Sequence, residues 1–82
     1  MFLKIYSPEN LIFEGNVNSI KVPGYDKPYV ILKNFTPIVT LLSAGEIIYE
    51  IDDTKTKSIE IKEGLLEVRE NVVTICVEVK SN

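Results

Sequence analysis

The chain has 82 residues, of which 45% are hydrophobic and 26% are charged, a balance typical of one folded domain with a modest core. The net charge is −3 and the nine Lys and Arg residues are scattered, which argues against binding to nucleic acid. The chain has no histidine and one cysteine. This composition excludes catalysis by Ser/His/Asp or Cys/His groups, zinc sites with the common ligand spacings, and an internal disulfide.

Short apolar runs alternate with turn residues along the whole chain, and no window has helical spacing. The runs predict strands at Phe2–Tyr6, Leu11–Phe13, Val17–Val22, Tyr29–Leu32, Ile38–Leu42, Glu46–Ile51, Lys57–Lys62, Leu65–Val68 and Val72–Val79. Gly64 is expected to break the strand pattern, and Glu70-Asn71 is expected to form the last turn. The prediction is all-β: one domain over residues 1–82, a small antiparallel β-sandwich of two sheets with about ten short strands and little or no helix.

The stretch from Val22 to Gly45 holds three of the four prolines and two of the four glycines, so it predicts two loops around two short strands. Irregular loops on a regular scaffold are common binding sites. In the segment Tyr25–Tyr29, two tyrosines flank a charged tip stiffened by proline, and tyrosine is favoured in contact surfaces. We therefore expect a contact surface here, although ordinary loop packing also accounts for these residues.

Other residues whose side chains could take part in catalysis or ligand binding have simpler interpretations. Cys76 lies in the middle of a predicted strand and is interpreted as an inert packed residue, and Asp52-Asp53 as solvated turn formers. The glycines are too far apart to form a phosphate-binding loop, so no cofactor is expected. No apolar run reaches the ~18 residues of a membrane-spanning helix, and the N-terminus lacks the signal-peptide pattern, which favours a cytoplasmic location.

Two segments match a family pattern: Lys62-Glu63-Gly64-Leu65-Leu66-Glu67-Val68, and the opening Leu3–Glu9 with Phe13-Glu14-Gly15. Together with the turns and strands between Val22 and Gly45, they resemble the epsilon subunit of F-type ATP synthases over the whole chain. The chain departs from that family's pattern at four places. It has Lys27-Pro28 in place of Gly-Glu, Lys33-Asn34 in place of Pro-Gly, Phe35 in place of histidine, and Glu63 in place of glycine.

The resemblance implies a non-catalytic rotor subunit whose N-terminal sandwich packs against the gamma subunit and rests on the membrane c-ring. It would lie at the cytoplasmic face of the inner membrane, without inserting directly. By residue-to-residue match, the gamma side would comprise Ser7, Phe35, Thr36, Pro37, Thr40 and Lys62. The c-ring side would comprise Tyr25, Asp26, Lys27 and Pro28.

Family members usually continue into a C-terminal helical hairpin that inhibits ATP hydrolysis and, in some members, binds ATP. The sequence given stops at Ser81-Asn82, so the expectation is a chain that neither inhibits by that route nor binds nucleotide. Whether the chain is naturally short stays open at this point. The main alternative function is an unrelated β-sandwich adaptor that binds other proteins, and a small hydrolase is a third.

Overall fold

A computed structural model describes residues 1–81. Within them the chain forms eight strands and no helix, so no helix capable of crossing a membrane is found in this part. The strands are β1 (Phe2–Tyr6), β2 (Leu11–Asn16), β3 (Ser19–Val22), β4 (Tyr29–Ile31), β5 (Ile38–Leu42), β6 (Gly45–Asp52), β7 (Lys55–Arg69) and β8 (Val72–Val79).

One continuous hydrogen-bonded path, β2-β1-β8-β7-β6-β3-β4, joins the strands, and β5 also pairs with β7. The first half of β7 pairs with β6 and its second half pairs with β5. The long strand therefore belongs to two layers. The first layer is β4-β3-β6 with the start of β7, and the second layer is β5, the end of β7, β8, β1 and β2.

The two layers enclose a single apolar core. Its buried side chains come from both layers and include Leu3, Ile20, Ile47 and Ile75, and no polar or charged residue is buried among the described residues. Across the layers, the rings of Phe13 on β2 and Tyr49 on β6 lie with centroids 4.7 Å apart. The predicted all-β sandwich is confirmed.

Two details differ from the prediction. The strands number eight rather than about ten, and the two strands predicted on either side of Gly64 are one strand, β7, which runs through the glycine without a break. The glycine is needed there, since a Cβ would lie 2.9 Å from the Cys76 carbonyl oxygen of β8. The sheet is also not wholly antiparallel, because β1 and β8, from the two ends of the chain, pair in parallel. Two strands with no short connection between them are free to adopt this direction.

A β-bulge at Lys62 marks the corner where β7 passes from one layer to the other. Ile61 pairs with Val79 and Glu63 pairs with Glu78, so Lys62 is the extra residue opposite β8. A one-residue shift reverses which side chains face inward. Ile61 is buried before the bulge, and the buried residues after it are Leu66 and Val68, while Leu65 faces outward.

The turn between β7 and β8 uses two residues with positive φ, Glu70 at 50° and Asn71 at 62°. This pair of values is typical of a type I′ turn, which suits the twist of a two-residue hairpin. The Asn71 side-chain oxygen also accepts a hydrogen bond of 3.0 Å from the backbone N–H of Asn34, which ties the turn to the loop before β5. The turn predicted at Glu70-Asn71 is confirmed.

Glu70→Asn is expected to raise the free energy of unfolding by about 0.5–1 kcal/mol, because Asn adopts positive φ at lower cost than Glu. Asn71→Ala is expected to lower it by about 1–2 kcal/mol, through strain at positive φ and loss of the hydrogen bond to Asn34. Equilibrium denaturation by urea measures both changes. A Glu70→Asn protein no more stable than the parent would contradict this account of the turn.

Candidate protein-binding surface

Four large side chains of the second layer and its flanking loop are exposed side by side. Leu41 on β5 pairs directly with Leu65 on β7, and Val39 lies two residues from Leu41 on the same face. Their exposed fractions are 76% for Tyr25, 66% for Val39, 59% for Leu41 and 45% for Leu65. We call these four residues the outer apolar patch. Contiguous exposed apolar surface on a small domain is typical of a protein-binding site.

The fold determines the position of the patch. On β5, Leu42 is buried, so its neighbour Leu41 must face outward. On β7, the change of phase at the bulge turns Leu66 into the core and Leu65 out. Because these two strands pair with Leu41 opposite Leu65, both outward leucines reach the same point on the surface.

An open groove of about 740 Å³ begins at the patch and extends over the corner of β7. Leu41, Leu65 and Cys76 line it, and Cys76 lies beside Leu65 on the neighbouring strand β8. Three charged residues, Lys62, Glu63 and Glu78, also line the groove. The Lys62 ammonium lies 3.8 Å from a carboxylate oxygen of Glu78, with both side chains more than half exposed.

The loop before β4 is pinned to the other end of the patch. The Tyr25 N–H donates a 2.8 Å hydrogen bond to the Leu41 carbonyl oxygen, and the backbones of Gly24 and Leu42 form an isolated antiparallel β-bridge. Gly24 has no room for a side chain, because a Cβ would lie 2.6 Å from the Tyr29 ring and would clash with the Lys27 carbonyl oxygen. The loop therefore folds back tightly on itself.

Side chains inside the loop hold its tip. The Tyr29 hydroxyl donates a hydrogen bond of 3.0 Å to the Asp26 carboxylate, and the Lys27 ammonium lies 5.5 Å from the centroid of the Tyr29 ring. The hydrogen bond to Asp26 and, to a smaller extent, desolvation and the negative charge of Asp26 raise the pKa of Tyr29. These contacts present Lys27 and Pro28 at an exposed loop tip.

The structure places four of the ten predicted residues beside the patch or in the groove: Tyr25, Asp26, Thr40 and Lys62. Of the loop set, Tyr25 and Asp26 line a small depression together with Thr40 and the three aliphatic residues of the patch. Of the residues predicted for the gamma side, Lys62 lines the groove. Ser7 is half-buried in a turn, where its N–H bonds to the Asn10 carbonyl oxygen at 2.8 Å.

The remaining predicted residues are near the start of β5, at the opposite end of that strand from the groove. Thr36 and Pro37 are exposed, whereas Phe35 is half-buried and packs against the core. Thr40, in the middle of β5, pairs with the buried Leu66 and is itself half-buried, with part of its surface in the small depression. Phe35 and Thr40 therefore offer a partner only part of their surfaces.

Sequence reasoning did not nominate Val39, Leu41 and Leu65 as candidate binding residues. A signal was present, because the run Ile38–Leu42 is apolar at both alternating sets of positions. A strand that is apolar on both faces is typical of one covered on both sides. In the described residues only one face of β5 is covered, which leaves Val39 and Leu41 in solvent.

Within residues 1–81, no group of three or more acidic, cysteine or histidine side chains could hold a metal ion. The chemistry that the surface offers is apolar burial with charges at its rim. Such a surface suits recognition of another macromolecule.

Solved structures share this fold. A chain in the cryo-EM structure of the Euglena gracilis mitochondrial ATP synthase, OSCP/F1/c-ring in rotational state 1, matches with a TM-score of 0.85 and 21% identity over 92% of this chain and 48% of the other. A chain in the Tetrahymena thermophila mitochondrial ATP synthase central stalk/c-ring structure matches with a TM-score of 0.78 and 15% identity, over 94% of this chain and 62% of the other. At these identities the likeness is one of fold.

Sequence relatives are closer. The ATP synthase epsilon chain of a Nitratiruptor species is 40% identical over 76 residues, which cover 93% of this chain and 59% of the relative. The epsilon chain of Sulfurimonas denitrificans is 34% identical over 93% of this chain and 58% of its own length. This chain thus spans less than two thirds of these relatives. Residues 1–80 match the family described as ATP synthase, Delta/Epsilon chain, beta-sandwich domain, and the chain belongs to that family.

Proposed function

We propose that this chain is a central-stalk, or rotor, subunit of a proton-translocating F-type ATP synthase, where it joins the gamma subunit to the c-ring and helps to couple proton flow to ATP synthesis. Family membership and relatives named epsilon chains support this function. The observation that carries it is the outer apolar patch, in which four exposed apolar or aromatic side chains lie together, an arrangement typical of protein-binding sites.

The gamma subunit is assigned to the patch and groove. Leu41 and Leu65 lie at the centre of the proposed interface and would be buried on docking, and side chains that are fully desolvated at the centre of an interface are where binding energy is concentrated. Around this centre the proposed gamma contacts are Ser7, Phe35, Thr36, Pro37, Thr40 and Lys62.

The c-ring is assigned to the loop tip formed by Tyr25, Asp26, Lys27 and Pro28. The tip is exposed and held by contacts within the loop, so it can touch a partner without first being ordered. It borders the patch at Tyr25, which lines the groove as well. One small domain would thus contact the stalk and the ring through adjoining surfaces.

The role is mechanical and non-catalytic, at the cytoplasmic face of the inner membrane. A tightly packed sandwich deforms little under load, because protein interiors are packed as densely as organic crystals. Here the two layers share β7, so the strand that carries Leu65 also forms part of the layer on the other side of the core. Force applied at the patch is transmitted through continuous backbone.

Leu41→Asp is expected to weaken binding to the gamma subunit by about 2 kcal/mol or more, roughly 30-fold in Kd, because it places a charge at the centre of the interface. Val30→Asp is the matched control, since Val30 is 52% exposed on β4 of the first layer. Isothermal titration calorimetry with purified gamma subunit measures both.

Equal affinity of the Leu41→Asp and Val30→Asp proteins, with the fold intact, would remove the patch from the gamma interface. Absence of any binding between the parent chain and the gamma subunit would overturn the proposed function. It would leave the adaptor that binds other proteins as the better interpretation.

Lys27→Glu is expected to change c-ring affinity about three- to tenfold at low salt, with a smaller change at high salt, because rim charges act through screened electrostatics. Lys55→Glu, at the turn between β6 and β7, is the control. Binding to detergent-solubilised c-ring at two salt concentrations measures the effect. A change of the same size in both variants would argue that only net charge matters and not the loop tip.

A further inference from the structure

Two acidic residues occupy directly opposite positions on neighbouring strands at the edge of the groove. Glu63 on β7 pairs directly with Glu78 on β8, immediately after the bulge. Like charges placed opposite one another on neighbouring strands destabilise a sheet. Both residues line the groove that begins at Leu41 and Leu65.

The cation nearby neutralises only one of the pair. Lys62 lies 3.8 Å from a Glu78 carboxylate oxygen, and no ion pair to Glu63 is found in residues 1–81. Counting Lys62, Glu63 and Glu78, the corner carries a net charge of −1 beside an apolar surface. The free domain thus retains a repulsive arrangement that a basic side chain from outside could relieve.

The geometry also places this charge at a definite distance from the patch. Glu63 and Leu65 are two residues apart on one face of β7, which corresponds to about 6.6 Å along the strand. A partner segment that covers Leu65 with an apolar side chain could therefore place a basic group over Glu63. The spacing is within the reach of alternate residues of an extended segment, or of neighbouring turns of a helix.

We infer that the groove accepts a Lys or Arg side chain of the docking partner, between Glu63 and Glu78 and next to an apolar side chain seated on Leu41 and Leu65. This inference rests on the proposed docking of the gamma subunit and specifies the chemistry of the gamma segment involved. Arg fits best, because its planar guanidinium can bond to two carboxylates at once.

The arrangement has a signature that a purely structural role for Glu63 would not give. Removing the Glu63 charge relieves the repulsion with Glu78, so the free domain becomes more stable. The same change removes one ligand of the partner's cation, so binding becomes weaker. Stability and affinity therefore move in opposite directions, as is common where a site is kept for function.

The test compares the parent chain with Glu63→Gln, Glu63→Lys and the control Glu46→Gln. Glu46 is a matched residue, since it is exposed, faces Glu60 across β6 and β7 in the first layer, and has a similar lysine nearby, Lys80, 3.5 Å from Glu60. Affinity for purified gamma subunit is measured by calorimetry at two salt concentrations, and the Tm of each free protein is measured by circular dichroism.

Glu63→Gln is expected to weaken gamma binding about five- to tenfold and Glu63→Lys more than about 30-fold, with smaller effects at high salt. The Tm of the free Glu63→Gln protein should be equal to or above that of the parent. Glu46→Gln should leave the affinity unchanged.

Two outcomes overturn the inference separately from the proposed function. If the parent binds gamma but both Glu63 variants bind as Glu46→Gln does, the cation contact is wrong while the docking stands. If the affinity loss is accompanied by a lower Tm, Glu63 acts through the fold. If the parent does not bind gamma at all, the proposed function fails and this inference fails with it.

Discussion

The bulge at Lys62 is the feature on which the rest of the structure depends. A single extra residue in β7 lets one strand pair with β6 in the first layer and with β5 in the second. Strands that change sheets at a bulge form the corners of a sandwich. The same residue reverses the direction of the side chains, which buries Leu66 and exposes Leu65. The core and the candidate binding surface are therefore two consequences of one local irregularity.

The corner also brings the chain's irregular segments together. Ser43, just after β5, donates its N–H to the Pro23 carbonyl oxygen at 2.8 Å, and Gly45 leaves no room for a Cβ beside the Pro23 ring. The loop that follows Pro23 is thereby held against the end of β5. In the proposed role, contacts with a stalk subunit and with a ring would act on this one corner, and a load at one contact would reach the other through few intervening bonds.

Periodicity predicted the strands well, because alternation of apolar and polar residues directly reflects which face is buried. It failed at Gly64, where a glycine usually ends a strand but here allows β7 to run close to Cys76 on β8. The loop Tyr25–Pro28 could be nominated from its residue types alone. Leu65 could not, because its direction depends on the bulge at Lys62, and a bulge is a property of strand pairing that local sequence does not encode.

Chemical labelling of Cys76, the only cysteine in the chain, tests the central claim most directly. Its thiol is half-buried in the groove, beside Leu65. Alkylation of this chain, followed by mass spectrometry, should slow at least about tenfold at saturating gamma subunit, because docking on the patch closes the groove to the reagent. A Val30→Cys, Cys76→Ser protein should be labelled equally fast with and without gamma. An unchanged Cys76 rate in a formed complex would show that gamma binds elsewhere and would contradict the account.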